Sequence, residues 1–161
     1  MGNTKLPSTG ALRTLRAAKV DFEVHQYNYE ARGGTAVSSR ELGVEEASVI
    51  KTLVFEDQDK KPLIVLMHGT MEVSTKSLAR HLGVKTIVPC KPEVAQKHSG
   101  YKVGGTSPLG TKKKLPVYAE KTIFELETIY INGGQRGLLV AITPAILDQL
   151  LDVEPVEVGI A

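Results

Sequence analysis

Two glycine-rich turns and one lysine carry most of the chemistry this sequence can do. The first turn is Gly100-Tyr101-Lys102-Val103-Gly104-Gly105-Thr106-Ser107-Pro108-Leu109-Gly110-Thr111, followed by Lys112, Lys113 and Lys114. Adjacent glycines let a backbone approach a ligand closely and adopt positive φ without steric cost. Successive N–H groups in such a turn can form an anion-binding concavity. Lysines beside it add point charges for phosphate. The segment reads as a loop that holds something phosphorylated and polar. Its bland alternative is a surface turn ahead of a solvated lysine cluster. The second turn is Asn132-Gly133-Gly134-Gln135-Arg136-Gly137.

The lysine is Lys51. In an extended segment, residues 49, 51, 53 and 55 share a face. That face reads Val49, Lys51, Leu53, Phe55, and the other reads Ile50, Thr52, Val54, Glu56. A lysine among apolar residues needs a polar cavity, an acidic partner or a ligand for its ammonium. The alternatives are a lysine guarding a sheet edge or one that snorkels to solvent.

Other reactive residues lack partners fixed by spacing. Ser107 has no Gly-x-Ser-x-Gly elbow, and Pro108 makes it a turn residue. His25, His68, His81 and His98 stand apart from any nucleophile, and Cys90, after Pro89, is a structural thiol by default. No His, Cys or carboxylate group shows metal-ligand spacing, so neither a metal nor a cofactor is expected. The missing nucleophile points to a binding module, or to a catalyst that works by positioning and electrostatics.

The elements that must hold these residues follow from capping and periodicity. Ser8 or Thr9 caps a helix carrying Leu12, Leu15 and Ala18. Residues 21–29 alternate as a strand with one wet face. Thr35 is expected to cap a helix ending at Leu42, with Gly43 as its stop. Residues 49–56 and 63–68 form a hairpin across a charged turn. Ser74 or Thr75 caps a helix stopped by Gly83, residues 85–89 form a short strand, and Pro92 opens a helix to about Lys97. Strands follow at 117–118, 128–132 and 138–142. Thr143 is expected to cap a last helix to Leu151, ahead of a strand at 156–158. Short helices mixed with antiparallel-looking strands give an α+β class: one domain over 1–161, residues 1–7 a loose terminus.

Composition fits that picture. The 161 residues are 42% hydrophobic and 24% charged, which suits an ordinary globular chain. No apolar run is long enough to span a membrane, and no signal-peptide pattern opens the chain. With a single cysteine, no internal disulfide is possible, and a reducing cytoplasm is expected. Net charge is only +2, but residues 85–121 hold eight lysines against Glu93 and Glu120. That segment is +6 and the remainder −4, a segregation that suits a phosphate-rich partner or a solvated basic face.

Ile50-Lys51-Thr52-Leu53-Val54, Val103-Gly104-Gly105-Thr106-Ser107-Pro108-Leu109-Gly110, Thr128-Ile129-Tyr130 and Gly133-Gly134-Gln135-Arg136-Gly137-Leu138 together resemble the YbaK/EbsC family in order and spacing. The resemblance runs from about Gly10 to about Val158. It implies an aminoacyl-tRNA deacylase related to the editing insertion of bacterial prolyl-tRNA synthetases, with a mixed, mostly antiparallel, barrel-like sheet core flanked by short helices. It implies that Lys51 is the essential lysine, with Thr52 and Tyr27 in the same pocket. It implies that Gly104, Gly105, Thr106, Ser107 and Pro108 wrap the terminal nucleotide, and that Gly133, Gly134 and Gly137 form the facing turn. Lys112, Lys113 and Lys114 would guide the acceptor phosphates. The implied substrate is Cys-tRNA(Pro), released through the substrate's own thiol. Asn132 and Leu139 stand where that branch usually has serine and aspartate, which raises Ala-tRNA(Pro) as an alternative. A non-catalytic tRNA- or nucleotide-binding module acting with prolyl-tRNA synthetase is the other. Aminoacyl-tRNA is the expected partner, with a transient synthetase complex, and neither membrane nor DNA is.

Overall fold

The structure, a computed structural model, describes residues 7–161. All of the expected loose terminus except Pro7 lies outside the described residues. Helix α1 (Gly10–Ala18) begins where Thr9 Oγ1 accepts from the Leu12 N–H, and it buries Ala11, Leu12 and Leu15. Strand β1 is Glu23–Gln26, shorter than its alternating pattern suggested. Helix α2 (Gly34–Leu42) ends at Gly43 in the left-handed region, as the sequence required. Its start differs from expectation. Gly33 is the N-cap and no side chain caps the helix. Thr35 lies inside the first turn, and its hydroxyl donates to Glu46 Oε2 at 2.6 Å and lies 3.2 Å from the Gly69 carbonyl. A long-range carboxylate thus outcompeted the local cap.

Strands β2 (Ile50–Asp57) and β3 (Pro62–His68) form the expected hairpin. The short β4 (Glu72–Val73) leads into α3 (Thr75–Leu82), capped by Ser74 Oγ on the Ser77 N–H. Next come β5 (Ile87–Pro89), α4 (Pro92–Ser99) and, after the long glycine-rich loop, β6 (Val117–Glu120). Strands β7 (Ile129–Asn132) and β8 (Leu138–Ile142) flank the second glycine turn. Helix α5 (Ala145–Leu150) has Pro144 as its N-cap, so Thr143 contributes its carbonyl to Ile146 N–H instead of a side-chain cap. The strand expected at 156–158 resolves into β9 (Val153–Val156) and β10 (Gly159–Ile160).

Five strands form a mixed sheet in the order β5-β2-β3-β6-β9. Its β3–β6 and β6–β9 pairs are parallel, and the others antiparallel. A second, antiparallel sheet has the order β1-β8-β7, and β10 pairs with β4. A parallel bridge from Val49 to Tyr130 joins the two larger sheets. Strand β3 is buried on both faces, which is why residues 63–67 read as an unbroken apolar run. Ile64 and Leu66 pack with α1, β8 and α5 residues into one apolar cluster, while Leu63, Val65 and Met67 join Leu78 of α3 in another. No helix among the described residues is long and apolar enough to cross a membrane.

Because Leu66 is fully buried between these layers, Leu66→Ala should cost about 2–5 kcal/mol. Urea unfolding measures it, and a cost under about 1 kcal/mol would contradict a close-packed β3.

Candidate active site

The cleft begins where β5 stops short. Strand β2 pairs with β3 along its length, but with β5 only at Phe55, Glu56 and Asp57. The hydrogen-bond alternation is fixed at both ends of the hairpin by Asp57 N–H to the Lys61 carbonyl and Gly69 N–H to the Val49 carbonyl. Odd-numbered β2 residues therefore bond to β3, and even-numbered ones point their N–H and C=O at the opposite edge. Val54 satisfies its carbonyl there with Cys90 N–H at 3.0 Å. Thr52 finds no strand on that edge, and its Oγ1 is buried without a partner. Residue 52 thus turns its backbone groups toward a cleft of about 710 Å³ lined by residues 49–55. That size suits a small ligand, and the lining is mostly apolar.

Lys51 lies in this wall with its side chain only 19% exposed. Its ammonium donates to the Met71 carbonyl, and Glu72 Oε1, on a 77% exposed side chain, lies 3.5 Å away. The acceptor is held at a distance. Glu120, itself buried, accepts from the N–H groups of Val158 and Gly159. This seats β10 against β4, the strand that follows Met71.

The opposite wall is made of the two glycine turns, which are fastened to each other. Asn132 Oδ1 accepts from the N–H groups of Gly134 and Gln135, and its Nδ2 donates to the Gly104 carbonyl at 3.0 Å. Arg136 Nε donates to the Val103 carbonyl at 2.9 Å, and its guanidinium lies 5.2 Å from the Tyr29 ring centroid. Two glycines are demanded by this contact. A Cβ on Gly105 would come within 2.7 Å of Arg136 N, and one on Gly104 within 2.6 Å of the Tyr29 hydroxyl. Gly104 also has φ +90°, a left-handed conformation.

The fold brings Lys51, Thr52, Tyr27, Gly104 and Thr106 to one cleft, and adds Asn132, Arg136, Leu139 and Cys90 to it. Gly105, Ser107, Pro108, Gly133, Gly134 and Gly137 lie outside the lining and shape the turns behind it. Ser107 is fully buried and its Oγ accepts from Leu109 N–H, so it is a turn residue without access to a ligand. Gly133 carries the turn hydrogen bonds to Leu138 and Thr9, and Gly134 and Gly137 have positive φ. Lys112, Lys113 and Lys114 are exposed beyond the loop. The backbone of Lys112 and Lys113 bonds to the end of α4.

Tyr27 is fixed by its N–H to the Gly137 carbonyl at 2.9 Å. Burial, reinforced by neighbouring Tyr29, pushes its phenol above the ordinary value, and hydrogen bonds from Gly137 and Ser38 offset part of this. The phenol is therefore a neutral hydrogen-bonding group at physiological pH. Burial, and then Glu56, pushes the Cys90 thiol up to about 11, so it is no ready nucleophile. No histidine lines the cleft. His68, for example, is spent between the Ala47 carbonyl and Thr122 Oγ1, both at 2.7 Å. Sequence reading missed Asn132 and Arg136 as fasteners because their partners lie 28 and 33 residues away. It also expected no metal-ligand cluster, yet Glu56, Cys90 and His98 converge beside the cleft.

The cleft is mostly apolar and brings Lys51 together with several hydrogen-bonding side chains and backbone turns. Residues 33–150, well over half of the chain, match the family model described as an aminoacyl-tRNA editing domain. The chain belongs to that family, and it is an enzyme of the deacylase class. It is 28% identical over 137 residues to a protein of Enterococcus faecalis named "Putative Cys-tRNA(Pro)/Cys-tRNA(Cys) deacylase EbsC", covering 84% of each chain. It is 38% identical over 96 residues to the proline–tRNA ligase of Ligilactobacillus salivarius, matching 60% of this chain and only 17% of the ligase. A crystal structure of "a putative trans-editing enzyme for prolyl tRNA synthetase" shares the fold, with TM-score 0.83, 20% identity, and coverage of 97% of this chain and 100% of that one.

If Asn132 fastens the two turns, Asn132→Ala should cost about 1 kcal/mol. Amide exchange at Gly134 and Gln135 should rise ahead of global unfolding, and unchanged exchange there would refute the fastening.

Proposed function

We propose that this chain removes the amino acid from mischarged tRNA in trans, with Cys-tRNA(Pro) as its substrate, in the cytoplasm and alongside a prolyl-tRNA synthetase. The observation that carries the reading is the Lys51 ammonium in the wall of an apolar cleft whose one thiol, Cys90, is held protonated. Such a cleft suits an ester whose own side chain supplies the nucleophile. The substrate thiol attacks the carbonyl carbon of its ester. A C–S bond forms, the C–O bond to the terminal ribose breaks, and the thiol proton ends on the ribose hydroxyl. The products are a cyclic thiolactone and free tRNA. Lys51 acts by exchanging its Met71 and Glu72 contacts for ligand oxygens, where charge builds in a low-dielectric site. Thr52 and Tyr27 supply neutral hydrogen bonds, and the fastened glycine turns hold the terminal nucleotide. The name borne by the Enterococcus relative supports the cysteine assignment. Leu139, buried in the lining, favours a second reading in which a small apolar residue such as alanine is removed from tRNA(Pro).

Deacylation of Cys-tRNA(Pro), Ala-tRNA(Pro) and Pro-tRNA(Pro) by the parent and Lys51→Ala proteins tests this. Cysteine should be lost fastest, and Lys51→Ala should lower kcat/KM by roughly 10²-fold or more with unchanged circular dichroism. A fully active Lys51→Ala would sink the site, preferential loss of alanine would establish the second reading, and tRNA binding without turnover would leave a binding module. Neutralising Lys112, Lys113 and Lys114 should reduce the slope of log affinity against log salt by about one unit for each phosphate contact removed. An unchanged slope would make these lysines a solvated face.

A further inference from the structure

We propose that Glu56, Cys90 and His98 form a binding site for one zinc ion at the edge of the cleft. Their ligand atoms all lie within 4.8 Å of one another, and all three residues are half-buried. Tetrahedral ligation at about 2.0–2.3 Å places ligand atoms about 3.3–3.6 Å apart, so small side-chain rotations close the site. A thiolate, an imidazole and a carboxylate are the donor types of reactive zinc centres, which keep a fourth position for water.

The three donors stand on separate, well-fixed elements. Glu56 lies in β2, paired with Pro62 and Val88 on its two sides. Cys90 follows β5 and is tied to β2 by its N–H on the Val54 carbonyl. His98 lies in the last turn of α4, and its carbonyl accepts from Lys113 N–H at 3.3 Å. On binding, the Cys90 S–H bond breaks, its proton passes to solvent and an S–Zn bond forms. With one thiolate, one carboxylate and a neutral imidazole, the ligands balance the charge of the dication.

The groups that oppose the ion are identifiable. Lys113 Nζ lies 3.1 Å from His98 Nδ1, and Lys97 adds a second positive charge near that ring. A neutral imidazole that ligates through one nitrogen carries its proton on the other. Whichever nitrogen binds the metal, Nδ1 can then no longer accept from Lys113. The exposed ammonium must withdraw, and it therefore acts as a competitor for the site. A bound ion would also pin α4 to β2, and α4 is the element from which the loop carrying Gly104 and Thr106 departs.

The test uses untagged, chelator-treated protein titrated with zinc against a chromophoric competitor, and with cobalt as a spectroscopic probe. One ion per chain is expected, with a near-ultraviolet thiolate-to-cobalt absorption band. Cys90→Ser should abolish that band. Cys90→Ser, His98→Gln and Glu56→Gln should each weaken zinc by roughly tenfold or more. Lys113→Met should tighten it several-fold, a gain that no loss of folding can mimic. Circular dichroism confirms that the metal-free variants are folded. Absence of stoichiometric zinc binding, a cobalt spectrum without the thiolate band, or parental zinc affinity in Cys90→Ser would each overturn the site. None of these outcomes depends on deacylation.

Discussion

Strand β2 is a strand shared unequally. One edge is consumed by β3 from end to end, while the other is covered by β5 only at its last three residues. Hydrogen bonding in an antiparallel ladder alternates, so the uncovered stretch must present every second residue's amide groups to open space. Unpaired strand edges are hazards that proteins blunt or cover. Here the edge opens into a cleft, where a ligand can take the place of the missing strand. The position of Lys51, the unsatisfied hydroxyl of Thr52 and the apolar walls contributed by Leu53 and Val54 all follow from that truncated pairing.

A second condition is that the facing wall stay rigid although it is built from loops. Loops are ordinarily the mobile part of a fold. The two glycine turns escape this by contact with each other. The lack of a Cβ at Gly105 lets the backbones touch, and Asn132 and Arg136 then bridge them with side-chain hydrogen bonds. The glycines serve loop-to-loop packing at least as much as close approach to a ligand. Of the eight candidate turn positions 104–108, 133, 134 and 137, only Gly104 and Thr106 border the cleft.

Charge is divided in the same spirit. The cleft lining carries Lys51, Arg32 and Arg136 against Glu30 and Glu72, while Lys112, Lys113 and Lys114 are exposed outside it. The Lys51 acceptor, the Met71 carbonyl, is placed by β4 and through it by the C-terminal strand that Glu120 clasps. The geometry of the lysine thus depends on residues as far along the chain as Gly159.

The α+β class, the β2–β3 hairpin, a cap at Ser8 or Thr9, another at Ser74 or Thr75, and the stops at Gly43 and Gly83 were legible in the sequence. Each rests on interactions within a few residues or on a simple period of burial. The oddity of Lys51 was legible too, because an isolated cation in an apolar strand conflicts with its neighbours. Local reasoning failed at Thr35, whose hydroxyl goes to Glu46 across the chain, and at Thr143, which leaves the N-cap to the next residue, Pro144. Tertiary structure alone decided that β3 and β6 run parallel, that β5 stops before Thr52, that Asn132 and Arg136 clasp the opposite loop, and that Glu56, Cys90 and His98 meet. The physical reason is the same in each case. Propensity and periodicity report what a residue's neighbours in sequence allow, whereas a site is made by groups tens of residues apart, whose approach is set by how buried sheets and helices pack.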